Sequence, residues 1–251
     1  MASKGTKTMN TTLATVSPSP KEIERVSTAP VYTFGWATSE AELKEVFKFR
    51  YQIYFEEMGR DQKHADVVNK MLRDNLDTWG HQLFVRSIET GQIVAIARLN
   101  LSADGDLPED ELYKFSEFTS HGASQVALVT KMMIDRDHRG SRIFRELCIE
   151  IYKKVLSYGC DYAFIATADH LVPLFRRIGF RQHQPRTTWA DYGSSNPMVF
   201  DCRNLSYLKE IKSPLFDTGE HYYAFRRIDQ KQTINNIIAG LFKTPIYGIS
   251  H

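Results

Sequence analysis

The segment from Val126 to Leu147, VALVTKMMIDRDHRGSRIFREL, constrains the fold more than any other part of the chain. An apolar run ends at Ile134-Asp135. A polar loop then carries Arg136, His138, Arg139 and Gly140, and helical periodicity resumes near Ser141. Ile143, Leu147, Ile151 and Val155, with Phe144, Cys148 and Tyr152, fall on one face, which is the repeat of an amphipathic helix. A strand feeding a helix through such a turn aims backbone N–H groups and the positive end of the helix dipole at the turn. An anion, most often a phosphate, is favoured there. Arg136, Arg139, Arg142 and Arg145 surround the turn, opposed only by Asp137. An ordinary strand–loop–helix with solvated arginines has the same pattern, so the turn alone does not decide between the two.

The rest of the chain alternates helices and strands. Ser39 with Glu42 forms a capping box, and Leu43, Val46, Phe47, Ile53 and Tyr54 follow helical spacing to Met58, where Gly59 stops the helix. A second short helix is expected from Asp61 to Leu72. Residues 82–88 and 92–101 read as a β-hairpin across Glu89-Thr90-Gly91. Pro108 opens a short helix through Phe118, Val126–Ile134 is a strand, and Gly159 ends the helix that follows it. Tyr162–Ala166 is a buried strand, Leu171–Ile178 a helix stopped by Gly179, and Phe180 starts another strand. Met198–Cys202 is a strand and Tyr222–Arg226 a weaker candidate. Ile234, Ile237, Ile238 and Leu241 share a face of a C-terminal amphipathic segment expected to pack on the domain. This alternation indicates a single α/β domain with a mixed sheet. The expected organisation is a disordered tail over residues 1–29, the domain over 30–203 and a C-terminal extension over 204–251.

A net charge of +2 is too small to argue for a nucleic-acid partner. Three scattered cysteines, Cys148, Cys160 and Cys202, have neither metal-ligand nor disulfide-framework spacing and suit a reducing compartment, so a cytoplasmic location is expected. No apolar stretch is long enough for a transmembrane helix, and the N-terminus lacks the apolar region of a secretory signal.

Several charged residues stand where apolar ones belong. Arg50 lies seven residues after Leu43, within about 20° of the same helix face. A charge on a core-facing stripe needs a partner unless it snorkels at the edge. Asp74 and Asp77, three residues apart, face one way if their segment turns helically. Arg98 interrupts the strand IVAIARL and Lys131 interrupts VALVTKMMI. Both need a carboxylate or a substrate.

The order strand, Arg-Gly turn, helix, strand, helix, Gly179-Phe180 resembles the GNAT fold of the Gcn5-related N-acyltransferases over roughly residues 32–203. Within that fold the chain resembles the acyl-homoserine-lactone (autoinducer) synthases and the N-acyl amino acid synthases. The resemblance rests on Arg50-Tyr51-Gln52-Ile53-Tyr54, Met58-Gly59, Asp74 to Asp77, and Arg98-Leu99 in family order. It implies a GNAT-like, mixed and mostly antiparallel central sheet flanked by helices. The departures are Arg60 where the lactone synthases carry Trp, Ala127 and Lys131 at the positions of a Glu-x-x-x-Arg, Arg142 and Phe144 at small-residue positions of the turn, and Phe175 in place of a proton-donating Tyr.

The implied reaction is amide formation, in which an amine attacks the thioester of a fatty acyl chain on phosphopantetheine. The phosphate is expected on the amides of Arg139, Gly140, Ser141, Arg142 and Ile143. The pantetheine arm is expected on the strand edge ending at Ile134, and the thioester carbonyl on the N–H of Met133. Arg50, Asp77 and Arg98 are expected to order the N-terminal half and hold the amine. The general base is open among Asp74, Asp77, Glu117, His81, His138 and His170. No permanently bound cofactor and no metal is expected. The acyl donor is acyl carrier protein or acyl-CoA. The carrier protein is favoured, because Arg142 and Phe144 crowd the turn and Arg139, Arg142, Arg145, Arg176, Arg177 and Arg181 suit an acidic partner. The acceptor is an amino acid or similar small amine. Three other readings stay open: a coenzyme-A-dependent acetyl- or acyltransferase, a lactone synthase, and a catalytically silent acyl-binding module.

Overall fold

The computed structural model describes residues 31–60, 62, 64–108, 110–119, 125–189 and 193–241. The tail expected over residues 1–29 lies outside them.

β1 (Tyr32–Trp36) leads to α1 (Glu40–Tyr51). In the capping box of α1, Ser39 Oγ accepts from the Glu42 amide at 3.2 Å and Glu42 accepts from the Ser39 amide at 3.0 Å. The helix runs on as a π-helical turn over Gln52–Glu57, where the Met58 amide donates to the Ile53 carbonyl at 3.0 Å. Gly59, at φ +61°, ends it. The helix expected over 61–72 is instead a two-residue-per-strand hairpin, β2 (Ala65–Asp66) and β3 (Met71–Leu72). Its turn is set by Asp66, which accepts from the Asn69 amide at 2.9 Å, and by Lys70 at φ +52°. Asx-turn chemistry and a left-handed residue override the helical spacing of the apolar residues.

β4 (His81–Ser87) and β5 (Ile93–Leu101) form the expected hairpin. Two short helices follow, α2 (Asp110–Tyr113) and α3 (Phe115–Thr119), divided at Lys114 with φ +52°. Next come β6 (Gln125–Ile134), α4 (Ile143–Ser157), β7 (Cys160–Thr167), α5 (Val172–Ile178), β8 (Arg181–Gln182), β9 (Thr187–Trp189) and β10 (Gly193–Asp201). The chain closes with α6 (Leu205–Glu210) and α7 (Phe216–Leu241). The strand suggested at 222–226 is therefore part of a helix. Its aromatic residues pack sideways, Tyr222 Oη donating to the Leu156 carbonyl at 2.5 Å. For the apolar stripe from Ile234 to Leu241 the backbone is helical, but the side chains lie outside those described.

The main sheet has the order β1-β4-β5-β6-β7-β10-β8, with β9 on β10. Among the described residues only β6 and β7 run parallel. This is the mixed, mostly antiparallel GNAT-like sheet. One face, through Leu83, Val85, Ala97, Leu99, Ala127, Val129 and Ile165, packs on α4 and α5. On the other face, Phe84, Ile96 and Met133 meet α1, while Val126, Leu128 and Phe164 meet α2 and α3.

Two irregularities in β6 position the site. Its pairing with β7 stops at Leu128↔Phe164 among the described residues, although β6 runs on to Ile134 and β7 to Thr167. The sheet therefore opens between its two central strands. On the β5 side, Arg98 pairs with Thr130 but Ile96 with Met133, so Lys131 and Met132 together oppose Ala97. This β-bulge places Lys131 at φ +52°.

Candidate active site

Alternation along β4, β5 and β6 puts Gln82, Arg98 and Thr130 in one row on the α1 face, since Gln82 pairs with Arg98 and Arg98 with Thr130. Arg50 enters this row from α1, and Asp74 and Asp77 from a 3-10 turn over Asn75–Thr78. That turn carries its own capping box: Asp74 accepts from the Leu76 amide at 3.0 Å, and Asp77 accepts from the Asp74 amide at 2.8 Å. The three-residue spacing thus brings both carboxylates to one place.

Asp77 is the hub. Both of its oxygens accept from Arg50 Nη1 at 2.8 Å, and Oδ1 also accepts from Arg98 Nη1 at 2.9 Å and Gln82 Nε2 at 3.1 Å. Arg50 Nη2 donates to Gln82 Oε1 at 2.5 Å. Arg98 Nη1 also bonds Asp74, and Arg98 Nε donates to Thr130 Oγ1 at 2.9 Å. The side chains of Arg50 and Asp77 are 0% exposed and that of Arg98 is 2%. Gly80 admits the network: a Cβ there would lie 2.7 Å from the Leu76 carbonyl and 2.9 Å from Arg98 Cδ.

Charge is tuned by burial and by neighbours. Burial works to raise the Asp74 carboxyl, but Arg98, Lys131 and Arg50 outweigh it and hold Asp74 below the usual carboxylate range. Burial lowers the Arg50 guanidinium from its ordinary value, and Asp77 opposes that. Burial also lowers the Lys131 ammonium, Arg98 and Arg50 add to the effect, and Asp74, 3.6 Å away, opposes it.

At the end of β6, the Asp135 amide donates to the Val94 carbonyl at 2.9 Å. In an antiparallel ladder such pairs recur every second residue, so the Met133 amide points at Ile96, its partner in β5. On this register the Met133 N–H is turned toward β5. The amides that face the opening toward β7 are those of Met132 and Ile134.

In the Arg-Gly turn, Gly140 has φ +78° with open space where a Cβ would point. The Ile143 amide donates to Ser141 Oγ at 3.3 Å, and Arg142, at the N-cap of α4, caps nothing with its side chain. Arg139 is engaged: Nε donates to the Ile134 carbonyl at 2.9 Å and Nη2 to Glu57 at 2.5 Å. That residue pins the turn to the π-helical end of α1. Beside the opening, on the α4 face, lies a narrow apolar crevice of about 20 Å³, lined by Val129 and Met132, Ile165, Ile151, Phe175 and Phe180 among others.

Arg50, Asp74, Asp77 and Arg98 are thus brought into one cluster, and Ile134 to Ile143 form the turn beside it. Ala127 and Lys131 face opposite sides of the sheet, because the bulge shifts the alternation. His81 lies on the α4 face, bonded to Asp104 at 2.8 Å and packed against Tyr158. His138 bonds Asp135 at 3.3 Å. Gln82, Thr130, Gly80 and Glu57 escaped the sequence reading. A glutamine opening the apolar run QLFV was the one available signal. Among the described residues no cluster of His, Cys, Asp or Glu could hold a metal, and no helix is long and apolar enough to cross a membrane.

Residues 45–200 match the family model of the N-acyl amino acid synthase FeeM. The chain belongs to this family. Among solved structures it is similar to FeeM, an N-acyl amino acid synthase from uncultured soil microbes, at 13% identity and TM-score 0.58, covering 71% of this chain and 96% of that one. It is also similar to BjaI, a CoA-dependent acyl-homoserine lactone synthase solved with MTA, at 15% identity and TM-score 0.53, covering 73% and 91%. A third similar structure is the AHL synthase LasI, at 15% identity and TM-score 0.52, covering 69% and 90%. At these identities the likeness is one of fold. No curated protein sequence matches the chain. The FeeM-family chain is a GNAT-fold acyltransferase.

Proposed function

We propose that this FeeM-family enzyme transfers a long-chain fatty acyl group from the thioester of an acyl carrier protein to the amine of an amino acid or similar small molecule. The observation that carries the reading is the parting of β6 from β7 after Leu128, beside an apolar crevice and just before the Arg-Gly turn. A phosphopantetheine arm has these three needs: a strand edge for its amides, a cradle for its phosphate and a dry place for its acyl chain.

The phosphate sits at the turn from Arg139 to Ile143, where Gly140 leaves the approach open. The arm lies along the free side of β6. The thioester carbonyl is held by the amide of Met132 or Ile134, which polarises it and stabilises the oxyanion formed on attack. The acyl chain enters the crevice. Arg98, buried on the α1 face and bonded to Asp74, Asp77 and Thr130, orders the N-terminal half on the acceptor side. Arg50 is wholly buried and acts on the substrate only by fixing Asp77, Gln82 and, through Asp77, Arg98. Because a thioester is already activated, positioning supplies much of the acceleration.

Carrier protein is favoured over coenzyme A by the exposed arginines around the turn and the end of α5, which suit an acidic protein partner. Arg142 and Phe144 occupy positions small in other members of the fold, and Phe144 is committed to packing on Phe175 at 5.4 Å. The deciding experiment incubates the enzyme with long-chain acyl carrier protein and pooled amino acids and identifies products by mass. N-acyl amino acids are expected. Turnover of micromolar acyl-CoA without carrier protein would reverse the choice of donor, and acetylation alone would replace the reading with that of a short-chain transferase.

A further inference from the structure

The Arg-Gly turn is clasped from outside at its first residue. Arg139 Nε donates to the Ile134 carbonyl at 2.9 Å and Nη2 to Glu57 at 2.5 Å. Glu57 is the last residue of the π-helical stretch that extends α1. A π-turn adds a residue to the helical ladder, which rotates all that follows by about 100° relative to an α-helix. Its marks are the Met58 amide donating to the Ile53 carbonyl at 3.0 Å and the Arg60 amide donating to the Tyr54 carbonyl at 2.9 Å. That extra residue sets the direction in which Glu57 leaves the helix.

The two partners of the clasp are unequal. The Glu57 side chain is 15% exposed and that of Arg139 is 50% exposed. A carboxylate so far out of water needs its cation, whereas a half-exposed guanidinium is tolerated without its anion. The pair is therefore an anchor and not a latch, since Arg139 cannot leave for a ligand without stranding Glu57. Nor does Glu57 itself move freely. It ends the helix that carries Arg50, and Arg50 is locked in the buried network with Asp77 and Gln82. Two N–H groups of Arg139 are spent on Ile134 and Glu57. The rest of its planar fork is left for an anion in the turn.

We propose that Glu57 is a positioning residue for the donor, holding Arg139 as a stationary phosphate-binding cation at the mouth of the opening. This rests on the phosphopantetheine reading above. A free surface arginine loses rotamer freedom each time a phosphate binds. With Glu57 in place that ordering is met once, on folding, and not at each encounter.

The test uses the full-length enzyme with long-chain acyl carrier protein as the varied donor, a saturating amino-acid acceptor and free phosphopantetheine as competitor. In Glu57→Ala, the donor KM and the phosphopantetheine inhibition constant are expected to rise together about three- to tenfold. The acceptor KM and kcat should stay within about twofold, and the melting temperature within a few degrees, because a half-exposed ion pair adds little stability. Glu57→Gln keeps an acceptor for Arg139 and should recover part of the donor affinity. Arg139→Ala should raise the same two constants and melt lower, because it strands Glu57. Adding Glu57→Gln to it should restore the melting temperature and not the donor affinity, a split that a merely structural pair would not show. Donor constants in Glu57→Ala within about 1.5-fold of wild type would overturn the proposal. So would a fall in both, which would make Glu57 a repulsive neighbour of the phosphate, or a loss of kcat and melting temperature at constant donor KM. A wild-type enzyme that neither binds phosphopantetheine nor makes an N-acyl product would instead refute the proposed function.

Discussion

Asp77 shows how one buried side chain can govern a site without touching substrate. Its carboxylate is fully buried and answers two arginines, a glutamine amide and a backbone amide. Each guanidinium has left water and is tolerable only while that carboxylate is ionised. Asp77→Asn keeps the shape but leaves two buried guanidinium groups to share Asp74. A loss of about 3–5 kcal/mol is expected, read from urea denaturation as a lower midpoint at an unchanged slope. A loss under about 1 kcal/mol would mean that the network is not the structural hinge of the N-terminal half. The residue-scale signals were uneven in the sequence. Arg50 and Arg98 stood out because a charge on an apolar stripe or strand must be answered, and Asp74 and Asp77 because three-residue spacing suits a capped turn. Thr130 and Gln82 gave little sign, because a lone polar residue at the end of an apolar run is common and becomes a partner only through cross-strand register.

At the scale of elements, the legible parts were those fixed by local chemistry. The capping box at Ser39, the hairpin across Glu89-Thr90-Gly91 and the glycine stops at Gly59, Gly159 and Gly179 all lie within a few residues of their cause. The bulge did not announce itself, since Lys131 occupies a place where glycine is the usual marker. Nor did the parting of β6 from β7, because a strand's partners are chosen at long range. That parting makes Met132 the element's sentinel, its side chain lining the crevice and its amide facing the opening. Met132→Trp should narrow the crevice and leave the amide in place. The expected result is at least about a tenfold fall in kcat/KM for long-chain donors, the size of a lost good apolar contact. Acetyl donors should be nearly unaffected. Equal loss with both donors would show that the acyl chain lies elsewhere.

For the whole molecule, the arrangement of charge matters more than the total of +2. Asp77 is buried with its arginines and Asp74 is part-buried beside them, while a group of arginines near the turn is exposed. Arg136, Arg142 and Arg145 are exposed around the turn and the start of α4. Arg176, Arg177 and Arg181 are exposed at and after the end of α5, and the two helices meet through Phe144 and Phe175. A carrier protein with an acidic helix would meet these groups before its pantetheine arm found the opening, so their fields act on encounter. Ionic strength is the direct probe. Raising it from about 0.01 M to about 0.15 M shortens the screening length from about 30 Å to about 8 Å. With an acyl carrier protein donor, kcat/KM should fall about tenfold or more over that range, with kcat little changed, as expected when encounter is weakened and chemistry is not. Arg176→Glu with Arg177→Glu should reproduce the high-salt value at low salt and flatten the salt dependence. With an acyl-CoA donor the same pair should change kcat/KM far less, because a small ligand meets only the turn. A salt-insensitive reaction with carrier protein, or one that the double variant leaves intact, would take the docking surface away from α5.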